Sequence, residues 1–149
     1  MTDEYFWTWA ISEWQLNLSW QEILKLLIDG YDVDEKVVAV VRNLRKADYK
    51  TAICSNNFPG RVNGLQEKFG FLNDFDISVF SYQIGESKPN RKIFETLVNM
   101  SGVEPESIVF ADDNPENLAG AKAVGITTFL YEGFEKYLSQ LKSLGAIVK

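Results

Sequence analysis

The chain has 149 residues, 46% hydrophobic and 24% charged, with a net charge of −6 and a sequence pI near 4.7. That length fits one domain with a real core, and an acidic chain without a basic stripe is not expected to bind nucleic acid. Histidine is absent, which removes Ser-His-Asp and Cys-His triads and any histidine metal site. No apolar run approaches the ~20 residues of a membrane span, so no membrane partner is expected. The N-terminus is acidic and aromatic, unlike a signal peptide. The single cysteine, Cys54, falls inside an apolar run and reads as core. A lone thiol points to a reducing, cytoplasmic compartment.

Residues 3–14 read as a helix with Trp7, Ile11 and Trp14 on one stripe, widened by Phe6, Trp9 and Ala10. Ser19 and Glu22 form a capping-box pair that opens a helix through Ile28, with Gly30 as its stop. These two helices hold all four tryptophans, which are expected to be core aromatics. Asp34 can cap a helix over 35–46, with Val37, Val40, Val41 and Leu44 on its apolar face. A strand over 49–54 runs into a turn-rich break at 55–60. A helix over 61–69 stops at Gly70, and a short strand covers 77–80. The loop 85–90 ends at Asn90, a cap for a helix over 91–100. A strand over 108–111, a helix over 116–124 and a strand over 127–130 follow. Phe134, Leu138, Leu141 and Leu144 mark a last helix ending near Gly145. From residue 33 on, helices and strands alternate. This predicts an α/β fold with a parallel sheet covered on both faces and right-handed crossovers.

The buried run 108–111 ends in two acids, Asp112 and Asp113, and Pro115 suits a first helical position. Strand-to-helix junctions form the ligand-facing edge of open parallel sheets. Hard carboxylate oxygens there suit Mg²⁺. The plainer reading is that Asp112, Asp113 or Asn114 caps the helix. Two other loops stand at strand ends or helix starts: Ser55-Asn56 and Lys88-Pro89. Alone, the first is an ordinary turn and Lys88 a solvated lysine. Together the three loops make a phosphate-handling set. A hydroxyl and backbone N–H groups bind phosphoryl oxygens, an ammonium offsets developing charge, and carboxylates hold a bridging metal.

The order Cys54-Ser55-Asn56, then Gly85 to Lys88-Pro89, then Asp112-Asp113 with the tail Asn117-x-x-Gly120-Ala121-x-x-x-Gly125 resembles the haloacid dehalogenase (HAD) superfamily. It is most similar to the phosphatase branch with a helical cap inserted early in the chain. The resemblance covers roughly 3–132. It implies a three-layer Rossmann-like sheet and a Mg²⁺-dependent hydrolase acting on a small phosphorylated metabolite through an aspartyl-phosphate. Ser55 would be the second-motif hydroxyl and Lys88 the third-motif lysine, with Asn56 beside them at the phosphate. Asp113 would be the main metal ligand, Asp112 its support, and Asn117 would stand where some members carry a further acid. Residues 1–32 would be a partial cap, and 33–149 the core.

The family's first motif, an apolar strand ending in Asp-x-Asp, has no counterpart here. Asp32-Val-Asp34 has the letters but follows no buried strand. The chain therefore reads as starting inside the cap, without the central strand and without the nucleophile, and is expected to be inactive alone. The missing strand would lie between the strands ending at Cys54 and Ala111. Unsatisfied backbone groups there cost about 1–3 kcal/mol each, so the slot is expected to be filled by other chain, including a neighbouring copy, or closed by direct pairing. Self-association through the aromatic helices is a second expected mode. A non-catalytic binding protein and a dehalogenase are the alternative readings. A signalling receiver domain ranks below both, because there the acidic pair comes first in the chain.

Overall fold

The computed structural model describes residues 3–146. The termini of the two expected units, 1–2 and 147–149, lie outside the described residues. The helices are α1 (Asp3–Glu13), α2 (Trp20–Asp29), α3 (Glu35–Lys46), α4 (Pro59–Phe69), α5 (Ser81–Ile84), α6 (Arg91–Ser101), α7 (Pro115–Lys122) and α8 (Phe134–Ser143). The strands are β1 (Ala52–Ser55), β2 (Ile77–Phe80), β3 (Val109–Asp112) and β4 (Thr127–Leu130). The alternation from residue 33 onward is the expected α/β pattern.

The strands form two parallel pairs. β1 lies on β2, with Ala52 opposite Ile77 and Ser55 opposite Phe80. β3 lies on β4, with Val109 opposite Thr127 and Asp112 opposite Leu130. No ladder joins one pair to the other among the described residues. Helices hold the halves together instead. On one face Ile93, Phe94 and Leu97 of α6 and Leu118 and Ala121 of α7 share a single cluster with Ile77 and Val79 of β2 and Phe110 of β3. On the other face Val40 of α3 and Leu141 of α8 pack with Phe129 of β4, and Leu44 and Ala111 lie against them.

Closure by direct pairing is thus corrected, and no described segment of this chain enters the split. The reason is packing. The α6–α7 layer is filled by large side chains, Phe94 against Phe110 at a 5.4 Å centroid separation. That layer fixes the two half-sheets from below without bringing β1 onto β3. Ala52 is exposed and Val109 is 42% exposed.

The tryptophans are corrected too. Trp9 is 53% and Trp14 60% exposed, while Trp7 and Trp20 are half-buried. α1 rests on α2, and Trp7 meets Phe58 edge-on at 6.1 Å. One supporting helix and one ring cannot cover a helix that is aromatic on several sides. α2 is better seated. A Cβ on Gly64 of α4 would lie 2.7 Å from Ile28 Cγ1, so glycine allows this close approach. Lys68 Nζ also donates to the carbonyls of Ile28, Asp29 and Tyr31 at 2.8–3.0 Å, capping the end of α2.

Several ends shift from the sequence reading. β1 starts at Ala52, not at 49. Asp48 takes a left-handed φ of 62°, and Asp76 Oδ2 accepts the Thr51 N–H at 2.8 Å. Pro59 opens α4 two residues early, as a proline at a first helical position can. The short α5 and the 3₁₀ turns Phe71–Asp74 and Pro105–Ser107 were not legible as periodic segments. The caps at Ser19, Asp34 and Asn90 stand as expected.

Candidate functional site at the strand C-termini

β1 ends at Ser55 and hands the chain to Asn56 and Asn57. The Asn57 N–H donates to Ser81 Oγ at 2.9 Å, and Ser81 Oγ donates to the Asn57 carbonyl at 3.0 Å. The ends of β1 and β2 are therefore tied side by side. Beyond α5 the chain reaches Lys88. Its N–H donates to Asn56 Oδ1 at 2.7 Å, and Asn56 Nδ2 donates to its carbonyl at 2.9 Å. The Lys88 side chain then crosses to the end of β3, where Nζ donates to Asp112 Oδ2 at 2.6 Å. Lys88 is 10% and Asp112 8% exposed. The ammonium also lies 5.4 Å from the Phe110 ring centroid, an attractive cation–π distance.

Asp112 is held from the other side. Its Oδ1 accepts from Asn117 Nδ2 at 3.0 Å and from the Asn114 N–H at 2.9 Å. Burial works against its charge, but the bonds from Lys88, Asn117 and Asn114 outweigh it, and the carboxyl ionises below its ordinary range. Asn114 is the actual N-cap of α7, accepting the Glu116 N–H at 2.9 Å. The Asn-Pro pair carried that signal in the sequence. Gly120 explains how α7 comes so close. A Cβ there would stand 2.3 Å from the Pro89 carbonyl oxygen and 2.8 Å from Phe94 Cε2.

The structure brings Asn56, Lys88, Asp112 and Asn117 into one run of hydrogen bonds across the rim. Ser55 stands at its start, with Oγ 3.5 Å from Asn57 Nδ2. Asp113 is exposed and outside the run. Asn117, 8% exposed, gives its amide N–H to Asp112. Cys54 lies beneath the rim. Burial pushes its thiol up to about 11, against a downward pull from Lys88 and with an upward push from Asp112. It is therefore a neutral core thiol at pH 7.

These residues do not by themselves make a magnesium centre. Among the described residues no three Asp, Glu, His or Cys side chains gather to hold a metal. Both Asp112 oxygens are engaged, whereas Asp113 is exposed. An ammonium has three donors, of which Asp112 accepts one.

A parallel α/β domain with its polar machinery at the strand C-termini is the class that this fold and rim define. The chain belongs to the haloacid dehalogenase-like hydrolase family, whose model matches residues 13–125. It is 30% identical to D-ribitol-5-phosphate phosphatase of Bacteroides thetaiotaomicron over 74% of this chain and 56% of that protein. A HAD-like family hydrolase from Porphyromonas gingivalis superposes with a TM-score of 0.78 at 27% identity, over 97% of this chain and 73% of that one. A HAD family enzyme from Bacteroides thetaiotaomicron, solved with magnesium and inorganic phosphate, gives 0.81 at 20% identity, over 93% and 74%. The chain spans 24–74% of the length of the curated relatives it matches first. No helix among the described residues is long and apolar enough to cross a membrane.

Proposed function

We propose that this rim binds the phosphoryl group of a small phosphorylated metabolite, as part of a phosphatase-type member of the family. The observation that carries it is the nearly buried Lys88 ammonium, held on Asp112 at the rim where β1 ends in Ser55. Lys88 would neutralise phosphoryl oxygens, Ser55 would donate to one, and Asn117 would keep Asp112 in place. Residues 1–32 would act as a partial cap over a core spanning 33–149, since Trp7 reaches Phe58, three residues past Ser55.

Turnover needs a nucleophile that the described rim does not supply. The split between β1 and β3 is the place for it. A parallel strand inserted there would pair with both edges and carry its terminal side chains to Lys88. Titration with inorganic phosphate, with and without MgCl₂, tests the binding half. Wild type should bind, Lys88→Ala should not, and magnesium should add little to this chain's affinity. Adding an upstream strand ending in Asp-x-Asp tests the catalytic half. If wild type ignores phosphate and the extended protein with Mg²⁺ hydrolyses no phosphomonoester from a broad panel, the reading fails.

The exposed Phe6 and Trp9 of α1, with Trp14 just beyond its end, favour association through this segment as a second reading. Light scattering decides it, and a strict monomer at all concentrations would dismiss it.

A further inference from the structure

We infer that Asn56 is a positioning residue: its amide grips the Lys88 backbone at both N–H and carbonyl and thereby sets the ammonium on Asp112, linking the end of β1 to the end of β3. The inference rests on the phosphate-binding reading only for its consequence, not for its geometry. In the sequence Asn56 stands beside Ser55 and reads as a phosphate contact. In the structure Oδ1 takes the Lys88 N–H at 2.7 Å and Nδ2 reaches the Lys88 carbonyl at 2.9 Å. One planar amide thus makes the two bonds that a facing residue of an antiparallel strand would make to the N–H and carbonyl of one residue.

The split sheet gives this clamp its importance. Within each strand pair the ladder fixes the register. Between the pairs no ladder exists among the described residues, so no described strand pairing sets the distance from Lys88 to Asp112. Lys88 hangs from β2 through α5 and an irregular loop. Asn56 joins that loop to β1, and α7 presses on the adjacent Pro89 at Gly120. The Lys88–Pro89 unit is thus held between the two half-sheets. The 2.6 Å contact of a nearly buried ammonium then completes the crossing. A long, four-carbon side chain aimed from an untethered loop would sample many positions.

Amide hydrogen exchange and the ¹⁵Nζ resonance of Lys88 test this in the whole chain. In wild type the Lys88 amide should be protected and its ammonium visible as a slowly exchanging signal. Asn56→Ala should cut the Lys88 amide protection about tenfold, the worth of one hydrogen bond. It should also broaden the ammonium signal, while the Val79 amide stays protected. Asn56→Asp, which keeps the Oδ1 acceptor, should restore the amide protection. A merely structural Asn56 would lower the melting temperature and leave the ammonium signal in place, which would overturn the inference. So would an unprotected Lys88 amide in wild type, a result that needs no variant to fold. Inorganic phosphate should bind Asn56→Ala more weakly than wild type. If wild type binds none while both Lys88 signals behave as stated, the clamp stands and the phosphate reading falls.

Discussion

Replacing Lys88 with Met removes the charge and keeps most of the bulk. Asp112 is then left as a carboxylate, 8% exposed, facing a thioether. Removing one partner of a buried pair costs about 3–5 kcal/mol. Asp112 keeps its bonds from Asn117 and the Asn114 N–H and stands at the favourable start of α7. The lower end, about 3 kcal/mol, is therefore expected. For a chain of this length that lowers Tm by about 6–12 °C. The pH dependence gives a second check. The wild-type carboxyl ionises below its ordinary range, so its contribution is present above about pH 4 and is lost as pH falls through the folded value. In Lys88→Met the orphaned charge is relieved by protonation. The gap between the two proteins should close as the pH drops below about 4. Melts of wild type, Lys88→Met, Asp112→Asn and the double variant complete the assay, with the double less destabilised than the singles added together. A Tm change under about 2 °C at pH 7, or a gap that ignores pH, would refute the reasoning.

Gly120→Ala forces a methyl group into the Pro89 carbonyl at 2.3 Å. It should cost about 3 kcal/mol, the upper end for overpacking, and calorimetry will show it. Cys54 should resist iodoacetamide at pH 8 in the folded chain and react fast in urea, because its thiol ionises only near 11. Rapid native labelling would contradict its burial. Lys68→Met removes three carbonyl contacts from the end of α2. Lys68 is exposed, so the loss should be only about 1 kcal/mol. Limited proteolysis before residue 33 should nonetheless accelerate. Unchanged cleavage would mean that α2 is held by Ile28 against Gly64 alone.

What the sequence revealed was local. Ser19 with Glu22, Asp34 and Asn90 announce their helices because each cap bonds within three residues of itself. The alternation after residue 33 fixed the class of fold by periodicity alone. The rim was legible as three separate loops, each with an ordinary explanation. Its wiring was not. Asn56 finds Lys88 across 32 positions and Lys88 finds Asp112 across 24, and no local pattern encodes such partners. The same holds for Lys68 and the end of α2. Boundary errors had physical causes as well. Tyr49 and Lys50 look like strand residues, but Asp48 turns left-handed just before them. The aromatic helices misled for a different reason, since apolar composition predicts burial only where a second surface exists to meet it.

The split sheet has a colloidal consequence. Among the described residues β1 and β3 each have a strand partner on one side only, and such edges are templates for pairing with other molecules. At pH 7 a net charge of −6 keeps copies apart. Near the sequence pI of 4.7 that repulsion vanishes, and precipitation through edge-to-edge contact should peak there. Handling this chain well above that pH, at low ionic strength, should keep it dispersed.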